Sequence, residues 1–366
     1  MKVLLSGATA GTNFGDFLFA KMFQEYVGTI VGEENVYWND KGYHPISEFY
    51  ASRLNYHRKF RLRDIDTLVY ISGGYFCGDD RRLLDYVFRY LRYFHIGIRC
   101  LIRRKPVAII AVEAAKSNSF IIDKIQRLLI RKAKLIVVRN QPSMEYVESV
   151  VGKDSVKTFC TADSVFAIER NFFENAQIPG ELNERSHPKL FLHCNPVLAQ
   201  NQKHFEKIIP IVNNFLAKHP EYQVVVSADQ YVSDFTNAGG TGELIKSQIQ
   251  SDNVIIYKYD DPVALCKVID SCDIVVTHKL HVGIVAAHLG KSVISFSGHT
   301  QKIERLYEQL EISDRTISLS TLTIEEGTSL LEAKYNSGVK VPENVVNAAK
   351  SNFTHLANFL SELGKL

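Results

Sequence analysis

The sequence lacks most of what a disulfide-stapled, membrane-spanning or polyelectrolyte-binding chain requires. Six cysteines are scattered over 366 residues, at Cys77, Cys100, Cys160, Cys194, Cys266 and Cys272, with no CxxC pair. Five lie in or beside apolar segments and read as reduced core thiols, which argues against a disulfide framework and a cysteine zinc site. No uninterrupted apolar stretch is long enough to cross a bilayer, and Met1-Lys2-Val3-Leu4-Leu5-Ser6-Gly7 turns into a glycine-containing loop too early for a signal peptide. A cytoplasmic location is the expectation. The net charge of only +3 argues against nucleic acid as a partner and makes any basic surface local. Short repeats, low-complexity tracts and a GxGxxG fingerprint are also missing, so no nicotinamide or flavin site is expected. No His/Asp cluster has the spacing of metal ligands.

What is present is apolar material for two domains: 46% hydrophobic against 23% charged residues. Strand-like runs fall at 3–6, 67–72, 107–112 and 134–139, then at 190–194, 223–227, 253–257, 273–277 and 292–296. Segments of helical length and period separate them. Four to seven apolar, β-branched residues alternating with helices predict parallel sheets covered on both faces. The order βαβαβ occurs twice, giving an α/β domain over 1–170, a polar linker over 171–188, a second over 189–340 and a C-terminal helix over 341–366. In that helix Val345, Val346, Ala349, Phe353, Leu356, Phe359, Leu360 and Leu363 make one apolar face.

Chemistry concentrates where strands end. The run Asp273–Thr277 leads into His278, Lys279 and His281, and the run ending at Phe296 leads to His299 and Lys302. In an open parallel sheet both clusters face the crevice outside the carboxyl ends of the strands, and His with Lys there suits an anion. Asn13 to Asp16 sits at the first strand-to-helix turn, either as an anion site or as a helix cap. Gly73 and Gly74 end the second clear strand, where a substrate can approach the backbone. Asp79 and Asp80 read as helix caps. Arg139 ends another strand with a fork suited to carboxylate or phosphate, and Asp163 is placed to orient Arg139, to bind a substrate hydroxyl or to make a turn. From Arg53 to Lys105 the chain carries basic and aromatic stretches, among them His57, Arg58, Arg81, Arg82, Arg89, Arg92 and Arg103. They read as a solvated helix face or as a surface for anionic lipid.

Taken in order and spacing, Asn13-Phe14-Gly15-Asp16, Gly73-Gly74, Arg139 with Ser143, Asp163, Lys279-Leu280-His281 and Lys302 resemble the polysaccharide pyruvyl transferase family. The family has Arg-Leu-His where this chain has Lys279-Leu280-His281, and a glycine-rich turn after the strand here ending Ala111-Val112-Glu113-Ala114-Ala115. The resemblance implies two Rossmann-like domains in a GT-B-like arrangement, and transfer of the pyruvyl unit of phosphoenolpyruvate to a sugar as a ketal, without a cofactor or metal. It implies His281 as acid/base and Arg139, Lys279, Lys302 and His299 on the donor. Asn13, Asp16, Gly73, Gly74 and Asp163 fall on the side of a saccharide acceptor, lipid-linked at the inner face of a membrane. Two other readings stand beside it: a nucleotide-sugar glycosyltransferase of similar shape, and a glycan- or membrane-binding scaffold without activity.

Overall fold

In the computed structural model residues 1–39, 46–56, 58–77, 83–153, 155, 157–184, 186–193, 198–298 and 300–365 are described. His57, Asp79, Asp80, Arg81, Arg82, Cys194 and His299 lie outside them. The chain divides into two compact units, one of residues 1–168 with 344–366 and the other of residues 169–343. Thus the C-terminal helix, Glu343–Gly364, completes unit 1, whereas the expected linker is counted within unit 2. Lys267 donates to the carbonyls of Glu174 and Ala176 in that stretch, each at 2.8 Å.

Unit 1 is built on strands β1 (Val3–Ser6), β2 (Val36–Trp38), β3 (Thr67–Tyr70), β4 (Gly73–Phe76), β5 (Val107–Ala114), β6 (Leu135–Val138) and β7 (Thr158–Cys160). They form one parallel sheet in the order β2-β1-β3-β5-β6-β7, with β4 also pairing with β5. Every residue of β1, β3, β5 and β6 is buried, as continuous apolar runs require when helices cover both faces. The order reverses between β1 and β3.

Unit 2 carries β8 (Lys189–His193), β9 (Gln223–Ser227), β10 (Val254–Tyr257), β11 (Ile274–Thr277), β12 (Ser292–Ser297) and β13 (Thr316–Ser318). All pair in parallel in the order β10-β9-β8-β11-β12-β13, so the reversal falls between β8 and β11. Leu190, Leu192, Val224, Val226, Ile274, Val276, Ile294 and Phe296 from its strands share one apolar core. A doubly wound sheet opens a crevice at such a reversal. The side chains that follow β8 and β11 therefore flank the crevice that the topology of this unit opens.

The nine strand-like runs of the sequence all appear as strands, and β2, β4, β7 and β13 are additional. Helix starts follow their caps: Asp261 accepts from the Val263 N–H at 2.9 Å with Pro262 in the first turn, and Asn140 accepts from Ser143 N–H at 3.0 Å. Of the described cysteines Cys100, Cys266 and Cys272 are buried and all five are free, but Cys160 is exposed, so it is no core thiol. Burial pushes the Cys100 and Cys272 thiols up to about 12.

Candidate functional site

In unit 1 the strand ends of β5, β6 and β7 hold a triad of charged side chains. Arg139, immediately after β6, donates to Glu113 of β5 at 2.7 Å and to Asp163, after β7, at 2.6 Å. All three are buried. Burial alone would loosen the guanidinium proton; Asp163 and Glu113 overcome it and raise the pKa above the ordinary arginine value. Each terminal nitrogen of the fork meets one carboxylate. Arg139, expected on an anionic donor, here links the carboxylates at the ends of β5 and β7, the two strands that neighbour its own. Asp163 accepts from Arg139 with one oxygen, and its other oxygen accepts from Val165 N–H at 3.1 Å, as a turn residue does. Glu113 went unrecognised because it stands in an apolar run. The run is irregular there, with a register shift between Ile109 and Val112 and Ala111 at φ 53°, a left-handed conformation that costs a residue with a Cβ about 1–2 kcal/mol.

The remaining unit 1 candidates lie near its strand reversal. Asn13 caps the helix Phe14–Val31, accepting from Asp16 N–H at 3.2 Å, so the cap is Asn13 and Asp16 is a first-turn acid. Gly73 has φ 152°, and a Cβ there would come 2.7 Å from the Tyr75 ring, so the entry into β4 demands glycine whatever binds. Gly74 follows it, half-buried in β4.

Unit 2 assembles a different kind of cluster. His193 ends β8, Asp229 follows β9 by two residues, and His278 and Lys279 follow β11. The Asp229 carboxylate lies 3.1 Å from His193 Nε2 and 3.5 Å from Lys279 Nζ. His193 Nδ1 lies 3.3 Å from His278 Nδ1. Three strand ends on either side of the topological reversal thus meet in one network. Burial alone would raise the Asp229 carboxyl, but His193, Lys279 and His278 hold it well below the usual carboxylate range. Burial lowers the His193 imidazole, with Asp229 opposing and Lys279 assisting. Lys279 is the accessible member, its side chain 25% exposed.

Lys279 also starts the helix Leu280–His288, its own N–H donating to Thr277 Oγ1 at 3.0 Å. His281 therefore projects from the first turn, half-buried, where the helix dipole favours an anion. Lys302 is exposed on the helix Thr300–Gln309 that follows β12. The structure thus joins Arg139 to Asp163 in unit 1, and in unit 2 gathers around Lys279 the partners His193, Asp229 and His278. His193 and Asp229 were not foreseen, although both stand at the carboxyl ends of apolar runs. Among the described residues no group of three or more His, Cys, Asp or Glu side chains is arranged to hold a metal ion, and no helix is long and apolar enough to cross a membrane.

Comparison with known proteins agrees with this architecture. Residues 13–300 match the family described as polysaccharide pyruvyl transferase. No curated protein matches the chain. Among solved structures, a putative UDP-N-acetylglucosamine 2-epimerase from Listeria monocytogenes superposes with a TM-score of 0.66 at 12% identity, over 99% of this chain and 98% of its own. The UDP complex of S. aureus MnaA gives 0.62 at 11%, over 99% and 97%. Spinosyn rhamnosyltransferase SpnG complexed with thymidine diphosphate gives 0.53 at 10%, over the whole of both chains. At such identities the likeness is one of fold: two Rossmann-like α/β domains of GT-B-like type.

Proposed function

Because this chain belongs to the polysaccharide pyruvyl transferase family, we propose that it moves the pyruvyl unit of phosphoenolpyruvate onto two hydroxyls of a sugar, as a ketal, in the biosynthesis of a bacterial capsule or exopolysaccharide. The observation that carries the reading is the Lys279 cluster at the strand reversal of unit 2, followed directly by His281 on a helix amino end. Phosphoenolpyruvate is small and multiply anionic, so its site needs cations and N–H donors more than apolar wall. Lys279 and the first turn of the helix meet that need, with Lys302 and His299 assigned to the same donor. As the phosphate leaves, these groups stabilise the developing charge.

The reaction balances without a cofactor. Two acceptor oxygens bond to the central carbon, the bond from that carbon to the phosphate oxygen breaks, the carbon–carbon double bond becomes single as one hydroxyl proton reaches the methylene carbon, and the other proton leaves with phosphate. His281 is the acid/base for the carbon, since an imidazole both gives and takes protons near neutrality. Lys279 in place of the family's arginine keeps the charge and gives up bidentate geometry. The acceptor sugar is assigned to unit 1, to Asn13, Asp16, Gly73 and Gly74. Incubation with phosphoenolpyruvate and a panel of lipid-linked or nitrophenyl sugars tests the reading: phosphate release with the mass gain of a pyruvate ketal is expected, and no release with any acceptor would defeat it. A nucleotide-sugar glycosyltransferase is the second reading, supported by the fold shared with UDP- and thymidine diphosphate-bound proteins.

A lipid-linked acceptor calls for a membrane-facing surface, and unit 1 offers one. The helices Leu83–Arg89 and His95–Ile102 run together through a π-helical turn at Tyr90–Phe94. The Tyr70 hydroxyl donates to the Tyr93 carbonyl at 2.8 Å, and Gly97 leaves room for it, which opens the turn. Leu84, Val87 and Ile102 are exposed on this stretch, Ile102 by 74%, beside exposed Arg99, Arg103 and Arg104. Apolar side chains among cations are what an anionic bilayer surface takes. This surface is assigned to a peripheral contact with anionic membrane.

A further inference from the structure

Ten large apolar side chains stand exposed among the described residues, and six of them, Leu84, Val87, Ile102, Phe120, Ile121 and Leu128, lie on the three helices between β4 and β6. The first two helices carry the surface assigned to anionic membrane. The third, Phe120–Lys132, adds a face of its own. Its apolar residues divide by helical period: Ile122, Leu129 and Ile130 enter the core of unit 1, whereas Leu128 faces out and the consecutive Phe120 and Ile121 are 72% and 68% exposed. The rest of that outer face is cationic. Lys124, Arg131 and Lys132 are exposed, while Asp123, the one acid of the helix, accepts from the Tyr146 hydroxyl at 3.1 Å. Lys124 Nζ stands 4.2 Å from the centre of the Phe120 ring, so ring and ammonium form one amphipathic unit.

Unit 2 has an apolar residue in the same local position with the opposite surroundings. Ile324 opens the helix Ile324–Lys334 directly after its cap Thr323, as Phe120 opens its helix after Ser119, and it is 40% exposed. The next two residues are the exposed Glu325 and Glu326. Bare apolar surface thus lies among acids in unit 2 and among cations in unit 1, and only the second suits an anionic partner.

We infer that Phe120 and Ile121 enter the apolar layer of an anionic bilayer, with Lys124, Arg131 and Lys132 at the level of the lipid phosphates. An anionic bilayer takes both kinds of side chain. A second copy meeting this face about a two-fold axis would set the same cations against each other, and nucleic acid would leave Phe120 and Ile121 in water. The connections from β4 to β5 and from β5 to β6 each run from the carboxyl end of one parallel strand to the amino end of the next. The amino ends of their helices, with Leu84, Val87, Phe120 and Ile121, therefore lie at the strand-carboxyl edge of unit 1, to which the acceptor is assigned. Insertion sets that edge at headgroup level, where a lipid-linked sugar is displayed; this consequence rests on the proposed acceptor, whereas the insertion does not depend on the donor.

Tryptophan fluorescence of the full chain tests this. Trp38 is the one tryptophan, fully buried and donating to Gln24 Oε1 at 2.6 Å, so Phe120→Trp adds a reporter over a constant background. The probe is a vesicle of phosphatidylglycerol and phosphatidylcholine, with and without bromine on the acyl chains. Emission of Phe120→Trp is expected to shift to shorter wavelength and to be quenched by the brominated chains, and that of Ile324→Trp to do neither. Phe120→Gln with Ile121→Gln, at exposed positions that leave the core intact, is expected to lower partition onto these vesicles by about tenfold, equivalent to about 1.4 kcal/mol, with an unchanged thermal midpoint. Absence of quenching in vesicle-bound Phe120→Trp, or equal quenching of Ile324→Trp, overturns the insertion and leaves the charged contact of Arg99, Arg103 and Arg104; absence of any binding overturns both. A shift that follows protein concentration without vesicles gives the face to a second copy and overturns the proposal. Phosphoenolpyruvate turnover enters none of these readouts, so failure of the donor reading leaves them standing.

Discussion

The two units place charged groups at the carboxyl ends of similar parallel sheets, yet they use them differently. In unit 1, Arg139 lies between Glu113 and Asp163, all three buried, and donates to both. In unit 2 one carboxylate, Asp229, is shared by Lys279 and His193, and His193 in turn meets His278. The first arrangement places its guanidinium against two carboxylates, which raise its pKa above the ordinary arginine value. The second contains two imidazoles and a partly exposed ammonium, so it can both attract an anion and move protons. Position at a strand end is thus insufficient to mark a ligand site; what matters is whether partners have already consumed the charge.

The comparison breaks most readily at Arg139. Arg139→Ala leaves two carboxylates buried together, and loss of a buried pair's partner costs about 3–5 kcal/mol. Chemical denaturation should show that loss, while phosphoenolpyruvate affinity in the folded fraction stays near wild type. Weakened donor binding with unchanged stability would reverse the roles assigned to the two units. In unit 2 the pattern inverts: His281→Ala should lower turnover by about a hundredfold or more with little change in the denaturation midpoint. Lys279→Ala should weaken the donor by about 1.5–3 kcal/mol, the range of charge-assisted contacts, and Lys279→Arg should restore or exceed wild-type affinity. Both are measured by calorimetric titration.

Acid stability sharpens the contrast in titratable groups. The unfolded His193 imidazole takes a proton near about pH 6.5, whereas burial keeps the folded ring neutral to lower pH. The unfolded state therefore binds more protons below that value, so the contribution is complete above about pH 6.5 and declines as the pH falls. Burial lowers His95 and His355 of unit 1 in the same sense. Asp229, held low in the fold, adds stability present above about pH 4 that is lost on further acidification. His193→Gln should flatten the stability slope between about pH 6.5 and 5; an unaltered slope would mean that His193 is charged in the fold. The smallest effect expected is at the membrane surface. Replacing Arg99, Arg103 and Arg104 by Glu should remove roughly 1 kcal/mol of attraction each in sedimentation with anionic vesicles. High salt should do likewise, and equal binding to neutral and anionic vesicles would leave this stretch a solvated helix face.

Most of the fold was legible because runs such as 107–112 and 223–227 are long, apolar and β-branched. Strands β2, β7 and β13, of three residues each, offer too short a pattern to separate from loop. The last helix followed its period, but not Asn352: it sits fully buried on the apolar face, bonded to Thr161, Ala162 and Ser164. The site was half legible. Lys279 and His281 are visible as charge after an apolar run, whereas His193 meets His278 from 85 residues away and only strand order brings them together. At Arg139 the sequence displays a strand-end cation and conceals the carboxylates that engage it.

The central claim is that unit 2 holds a phosphoenolpyruvate site built on Lys279 and His281. Thermal unfolding with phosphoenolpyruvate, UDP and thymidine diphosphate tests it most directly, since a ligand at 100 times its dissociation constant stabilises the folded state by about 2.7 kcal/mol. Phosphoenolpyruvate should raise the midpoint of the wild type, and Lys279→Ala should abolish most of that rise. Stabilisation by a nucleoside diphosphate with none by phosphoenolpyruvate would contradict the account and turn the site over to a nucleotide sugar.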